Sequence, residues 1–274
     1  MRKFFPHKLH THHAIASFSF STFCMCCLTA TGQTALADED LAQKLANPIA
    51  AITSLPLQIN LDDNLGPNDK GTRKTINFQP VIPFSLGDEA SLVTRTIVPY
   101  IDQKDVIPGT SQSGFGDILF NAWYSKTTPD KVTWGVGPIV RIPTWSDVST
   151  DTWAGGATGI VLKVAGPWTM GALGNHIWDL ESNPKVPTSA SFVQPFVSYT
   201  TSSAFTYTLT SESTYDWKAT EWTIPINLSL AKILPIGGVP INWVAGAGYW
   251  ATSPDNGPEG WRLRFQLQVV IPKG

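Results

Sequence analysis

Trp261-Arg262-Leu263-Arg264-Phe265-Gln266-Leu267-Gln268-Val269-Val270-Ile271 decides the fold class. Successive side chains of a strand point to opposite faces, so Trp261, Leu263, Phe265, Leu267, Val269 and Ile271 share one surface. Arg262, Arg264, Gln266 and Gln268 share the other. A soluble sheet would hide the apolar surface in a core. A transmembrane barrel turns it to lipid and gives its polar surface to a wet lumen.

The same kind of segment recurs along the chain. About twelve, each about ten residues long, are expected near 53–61, 73–84, 90–100, 114–125, 132–143, 155–165, 168–178, 190–200, 203–213, 220–231, 241–251 and 260–271. From Asp38 onward no stretch carries sustained helical periodicity or about eighteen consecutive apolar residues, which excludes a helical membrane protein. Connections after even segments are short, as at Ser85 to Asp88, Lys126 to Lys131, Gly166-Pro167 and Thr200 to Ser203, with Lys232 to Pro240 somewhat longer. Those after odd segments are mostly longer and rich in Asp, Asn, Gly and Pro: Asp62 to Gly71, Asp102 to Ser113, Thr144 to Ala154, Asp179 to Ser189 and Ser253 to Gly260. Thr214 to Ala219 is the exception. Short periplasmic turns alternating with long external loops mark an outer-membrane barrel. The expected fold is therefore all-β, a transmembrane antiparallel up-and-down barrel over residues 53–274.

Polar residues mark which parity faces inward. Glu221 shares its face with Thr223, Asn227 and Ser229, against Trp222, Ile224, Ile226, Leu228 and Leu230. Extending this to every segment places Arg73, Arg95, Asp117, Arg141, Lys163, Glu212, Glu221, Arg262 and Arg264 in the lumen as pore candidates. The amides Gln58, Asn60, Asn77, Gln79, Asn121, Gln194, Asn227, Asn242, Gln266 and Gln268 accompany them. Because the charges are of both signs, a salt-bridged interior and an open one both fit. Tyr100, Trp123, Tyr124, Trp145, Trp153, Trp168, Trp178, Tyr199, Tyr215, Trp217, Trp222, Trp250 and Trp261 lie near segment ends, where amphipathic rings favour the membrane interface. Pro80, Pro99, Pro138, Pro195 and Pro225 run against the barrel, since each deletes a ladder donor that lipid cannot replace. Bulges or positions at the membrane edge would reconcile them.

The first 37 residues have the layout of a secretory signal peptide. Arg2, Lys3 and Lys8 precede an uncharged, mostly apolar stretch over 14–30, and Ala35-Leu36-Ala37 is a small-x-small site before Asp38-Glu39-Asp40. Residues 38–52 then read as a periplasmic lead-in or short helix. Cleavage after Ala37 takes the formal charge from −2 to −5 and removes all 3 cysteines and four of the 5 histidines. A disulfide scaffold and a cysteine nucleophile are thereby excluded, and zinc would lack its usual ligands. No basic tract suggests nucleic acid. No cofactor and no metal site are expected; the expected partners are outer-membrane lipid, a small solute and, during biogenesis, the barrel-assembly machinery.

Several runs carry a family resemblance. Gln79-Pro80-Val81-Ile82-Pro83-Phe84, Gly114-Phe115-Gly116-Asp117-Ile118, Trp134-Gly135-Val136-Gly137-Pro138, Gly166-Pro167-Trp168 and Asn175-His176-Ile177-Trp178 are the first of these. Gln194-Pro195-Phe196-Val197-Ser198-Tyr199, Glu212-Ser213-Thr214-Tyr215-Asp216-Trp217 and the stretch from Ser253 to Trp261 continue the series. Together they resemble a bacterial outer-membrane transporter family linked by name to the MetA pathway of phenol degradation, whose members also carry the label neuromedin U. The resemblance covers nearly all the chain after the signal segment. It implies an outer-membrane β protein passing hydrophobic or aromatic compounds, and it brings no catalytic residues. The chain's last residues, Pro272-Lys273-Gly274, depart from the terminal aromatic residue many such barrels show.

Three functions compete at this point. A passive channel or transporter would use the lumen arginines and glutamates. An outer-membrane lipid hydrolase would use His176, the one histidine left after cleavage, with Ser198, Ser211, Ser213, Glu212 or Glu221 as companions. No Gly-x-Ser-x-Gly element is present. A structural or adhesive barrel would act through its loops, and the Asp-Asn-Gly-Pro-Glu loop at 255–259 has oxygen ligands for Ca²⁺ but not the spacing of an EF-hand.

Overall fold

The computed structural model describes residues 32–271. The expected signal peptide thus lies outside the described residues up to Thr31. The first described element is helix α1 (Gly32–Leu45), which runs across the expected cleavage point.

Strand stretches then form one antiparallel sheet that closes as twelve staves. They are β1 (Thr53–Leu65), β2 (Gly71–Phe78, resuming as Val81–Ser85), β3 (Ala90–Lys104), β4 (Ser111–Phe115, resuming as Ile118–Thr127), β5 (Val132–Ile142) and β6 (Ala154–Ala165). They continue as β7 (Trp168–Asp179), β8 (Ser189–Thr200), β9 (Phe205–Ser211, resuming as Ser213–Asp216), β10 (Glu221–Ile236), β11 (Val239–Thr252) and β12 (Gly260–Ile271). Each stave pairs with its sequence neighbours, and β12 returns to β1 in a ten-residue register from Thr53 opposite Ile271 to Asp62 opposite Arg262. Closure leaves no unpaired edge, which lipid would not tolerate.

Parity follows the reading of β12. Trp261 is 69% exposed and Phe265 47%, whereas Arg262 is 7% and Arg264 9% exposed. The lipid-facing surface continues through exposed Leu228, Val136, Val161 and Tyr207 on other staves. The turn between β10 and β11 is tighter than the sequence suggests. Both strands run on until only Gly237-Gly238 joins them, with φ of 58° and 82°. Two successive left-handed residues suit the twist of a two-residue hairpin, and glycine adopts them without strain.

The in-strand prolines sit at the places where the ladder is interrupted. Pro80 occupies the gap in β2, which is bridged by Gln79 N donating to Pro56 O (2.9 Å) and Thr96 N to Pro80 O (3.2 Å). Pro99 of β3 faces the gap in β4 and accepts from Gly116 N. An extra residue there reverses the parity of β4, so Phe115 faces out while Asp117 is mostly buried. The gap in β9 falls at Glu212, and extending the registers puts Pro195 opposite Ser211 and Pro225 opposite Glu212. Ser211 Oγ and Thr210 Oγ1 donate to the carbonyls of Pro225 and Pro195, so side chains supply part of the missing ladder.

Candidate lumen site

The lumen has two kinds of wall. On β11, β12, β1 and β2 it is built from amides and charges. Gln58 Oε1 accepts from Asn60, Asn77 and Gln79, while its own Nε2 donates to Gln266, and Asn242 donates to Gln268. One layer outward, Arg264 clasps Glu212 with two bonds of 2.7 Å and donates through Nε to Asn60 Oδ1 (2.8 Å). Beside it Arg262 pairs with Asp62 (3.2 Å), stacks over Trp250 (4.6 Å) and stands 3.9 Å from Glu212. Trp250 Nε1 donates to Asp62 as well. The register runs unshifted through the interruption of β9, so Glu212 keeps the inward parity of Thr206, Thr208 and Thr210 and reaches this cluster. Gly248 leaves the room, since a Cβ there would stand 2.9 Å from Arg262 Cγ.

The opposite wall, on β4 to β8, is apolar toward the short-turn end. Trp123, Ile160, Leu162, Leu173 and Phe196 are buried there with Val81 and Val93, and Ile49 of the segment after α1 completes the cluster. The stretch from Ala42 to Ile49 therefore lies inside the barrel. Ala42 packs on Ala204 and Ile233 at the same end, with Leu41 and Leu45 beside them. Gln43 donates to the carbonyl of Gly166 in a short turn.

Cavities lie on both sides of this segment. The first, about 580 Å³, is lined by Ala42, Leu45, Asn47 and Pro48, by the amide wall, and by Arg95, Asn121, Phe192 and Phe196. The second, about 680 Å³, lies at the short-turn mouth against Asn47, Ile49, Ala51 and the turns near Gly87 and Pro129. Asn47 borders both, so the segment stands between the mouth and the inner lumen.

At the other end two long connections are tied to the wall. Asp117 accepts from Ser149 Oγ (2.6 Å) and Thr150 N (3.2 Å), and Arg141 Nε lies 3.6 Å from it. Arg141 also donates to Thr188 Oγ1 (2.7 Å) and Thr152 O (3.4 Å), so residues 143–153 and 180–188 share one anchor. Lys185 pairs with Asp151 between the two loops and holds that carboxyl below its usual pKa, first through the hydrogen bond.

The nine pore candidates thus separate. Glu212, Arg262 and Arg264 meet in one cluster, Arg95 lines the same cavity, and Asp117 and Arg141 pair near the long loops. Arg73 donates to Gln103 on β3 (2.8 Å). Glu221 keeps the inward parity of β10 but is exposed at the rim. Lys163 is misplaced by the sequence reading: it is exposed and shares its parity with Val161, 52% exposed, while Leu162 between them is 1% exposed. Two residues assigned to the interface also turn inward. Trp123 is 0% exposed and donates to Thr158 (3.2 Å), and Trp250 joins the arginine cluster. Trp123 lies two residues from Asn121, whose lumen parity implies its own.

Asp62 and Asn60 complete the cluster. Parity alone marks Asn60; the sequence puts Asp62 at the start of a loop, and only the β1–β12 register places it opposite Arg262.

His176 faces outward with exposed Trp178. Its Nδ1 lies 2.8 Å from Ser191 Oγ, which also accepts from Trp217 Nε1 (2.9 Å). Ser191 is a companion the sequence reading missed; Ser198 instead bonds Thr208 on β9, and Ser211 bonds Ser213. Ser191 sits in continuous ladder on both sides, which leaves no paired backbone donors aimed at a common point near it.

The sequence matches no family model and no curated protein. Among solved structures, the chain is similar to an outer-membrane channel from Pseudomonas putida F1 at a TM-score of 0.64 and 15% identity, over 82% of this chain and 97% of that one. It is also matched to the β domain of a Bordetella autotransporter (TM-score 0.48, 8% identity, 81% and 100% covered) and to outer-membrane phospholipase A from Escherichia coli (0.46, 12%, 86% and 98%). The latter two are too distant to carry an argument. A closed twelve-stave sheet with an apolar exterior and a polar interior, matched over nearly the whole of the channel chain, has the fold of an outer-membrane β-barrel.

Proposed function

We propose that this chain is a channel or transporter that moves small solutes across the outer membrane through its lumen. The observation that carries this reading is the pair of cavities on either side of residues 47–51. They mark a solute path that the N-terminal segment divides. Twelve staves enclose more than side chains alone can fill, as the cavities show, and the segment takes up part of that space. The channel-like fold is in keeping with this reading. The resemblance to transporters linked by name to phenol degradation favours a hydrophobic or aromatic solute. The signal segment belongs to the same proposal, with the mature protein starting at Asp38.

The experiment is reconstitution of the mature chain in planar bilayers and liposomes, with ion current and uptake of phenol-like and long-chain solutes measured against empty membranes. Flux above that background is the expected result; flux equal to it would overturn the channel. The contact of His176 with Ser191 favours a lipid hydrolase as the second reading. Measurable release of fatty acid that disappears in both His176→Ala and Ser191→Ala would support it, and release unaffected by either change would dismiss it.

A further inference from the structure

We propose that the inner cavity binds an amphiphilic organic anion, a carboxylate on a compact hydrocarbon body, and that Arg95 meets the carboxylate. The inference rests on the channel reading and names its solute class. It begins with a charge count along the cavity and its adjoining cluster. Asp62 and Glu212 are matched by Arg262 and Arg264 in the pairs described above. Arg95 is left over: among the described residues it has no ion pair, and its buried Nε has no hydrogen-bond partner. Its guanidinium lies 5.4 Å from the ring of Trp123, a contact that covers one face and satisfies no N–H. Asn121 sits directly across the strand from Arg95, is 1% exposed, and has neither Nδ2 nor Oδ1 partnered. Two adjacent groups on a cavity wall therefore hold unused donors, and such groups are costly to leave unmet.

The surroundings select the ligand's charge and its body. A carboxylate can accept from Arg95 and from Asn121 Nδ2 together, and a bond to a charged donor is among the stronger ones. A cation gains nothing there, because Glu212, the carboxylate lining this cavity, is already held by both Nη atoms of Arg264. Ile139 stands next to Asn121 in register, Ile97 and Leu119 lie one layer outward, and Phe192 and Phe196 line the same cavity. Its volume of about 580 Å³ suits a small organic molecule.

The test uses the full mature chain in lipid nanodiscs and equilibrium dialysis with three radiolabelled probes of one shape: 3-phenylpropionate, 3-phenylpropanol and 3-phenylpropylamine. Binding to empty nanodiscs is subtracted. The expected result is that the acid binds at least about tenfold more tightly than the amine, and that Arg95→Gln weakens the acid by about tenfold or more while leaving the alcohol unchanged. Equal binding of acid and amine to the native chain overturns the proposal, as does an Arg95→Gln protein that holds the acid as well as the native one. If Arg95→Gln does not fold, the order of the three probes on the native chain decides alone. A barrel that conducts yet shows no preference for the acid overturns this inference and spares the channel. One that binds the acid but passes nothing keeps the site and removes the channel.

Discussion

The amide and arginine wall of β11, β12, β1 and β2 and the apolar wall of β4 to β8 face each other across one lumen, and they are stabilised in opposite ways. The polar wall is satisfied by side-chain partners: Arg264 takes Glu212 of β9, Arg262 takes Asp62, and Gln58 gathers three amide donors. Such a network tolerates neighbouring water, because its charges are already matched. The apolar wall is held by packing instead of by matched charges. Trp123, Leu162 and Leu173 are buried in a cluster that Ile49 completes from the lumen side. The comparison teaches that the N-terminal segment is held mainly by the hydrophobic effect on one side of the lumen, while the charges on the other side stay in place without it.

The sharpest way to break this contrast is to remove the segment. A chain lacking residues 38–50 should still close as a barrel, since β1 begins at Thr53, and its conductance in planar bilayers should rise several-fold. An unchanged conductance would assign closure to the loops anchored on Arg141 and Asp117 instead. Stability should respond next. Asp62→Ala strands Arg262 in a buried site and should cost about 3–5 kcal/mol, as expected when one member of a buried ion pair is deleted. The joint change Asp62→Leu with Arg262→Met should recover most of it. Trp123→Ala should cost a similar ~3–5 kcal/mol by a different route, an unfilled cavity, and no charge swap should restore it. Reversible urea unfolding in lipid measures all three, and equal recovery on both walls would erase the distinction drawn between them.

A subtler effect concerns selectivity. Replacing both Arg262 and Arg264 with Ser leaves Asp62 and Glu212 without their guanidiniums, so a conducting barrel should shift its preference toward cations. Reversal potentials under a salt gradient report it, and a shift toward anions would contradict the assigned polarity. The smallest expected effect lies outside the membrane. Asp151 is held below its usual pKa by Lys185, so the link between the two long loops is present above the ordinary carboxylate range. It is lost as pH falls through the lowered value. Protease cutting within 143–153 should therefore increase as acid breaks this link, whereas Lys185→Ala, which removes the link outright, should raise cutting at neutral pH and flatten its pH dependence.

Much of the architecture is legible in the sequence. The strict alternation of β12, the turn spacing and the return of β12 to β1 all follow from a two-residue side-chain period and the intolerance of lipid for open edges. The site was legible only in part. Lys163 was assigned inward because it is charged, yet parity with exposed Val161 sends it out near the short turn, where a long side chain reaches water. Trp123 and Trp250 were assigned outward because they are aromatic, yet each finds a partner for its indole N–H in the lumen. Residue type misled where phase did not.

By itself the sequence determined that this chain forms a barrel, which surface of β12 meets lipid, and which arginines and amides line the inside, because these depend on patterns within ten or so residues. Tertiary structure alone decided that Asp62 meets Arg262 and Glu212 meets Arg264, that two prolines flank the break at Glu212, and that Ile49 fills the apolar side of the lumen. The physical reason is range. Those contacts join residues up to 200 positions apart, and their register across a closed sheet is set by closure of the whole wall and not by any local preference of the chain.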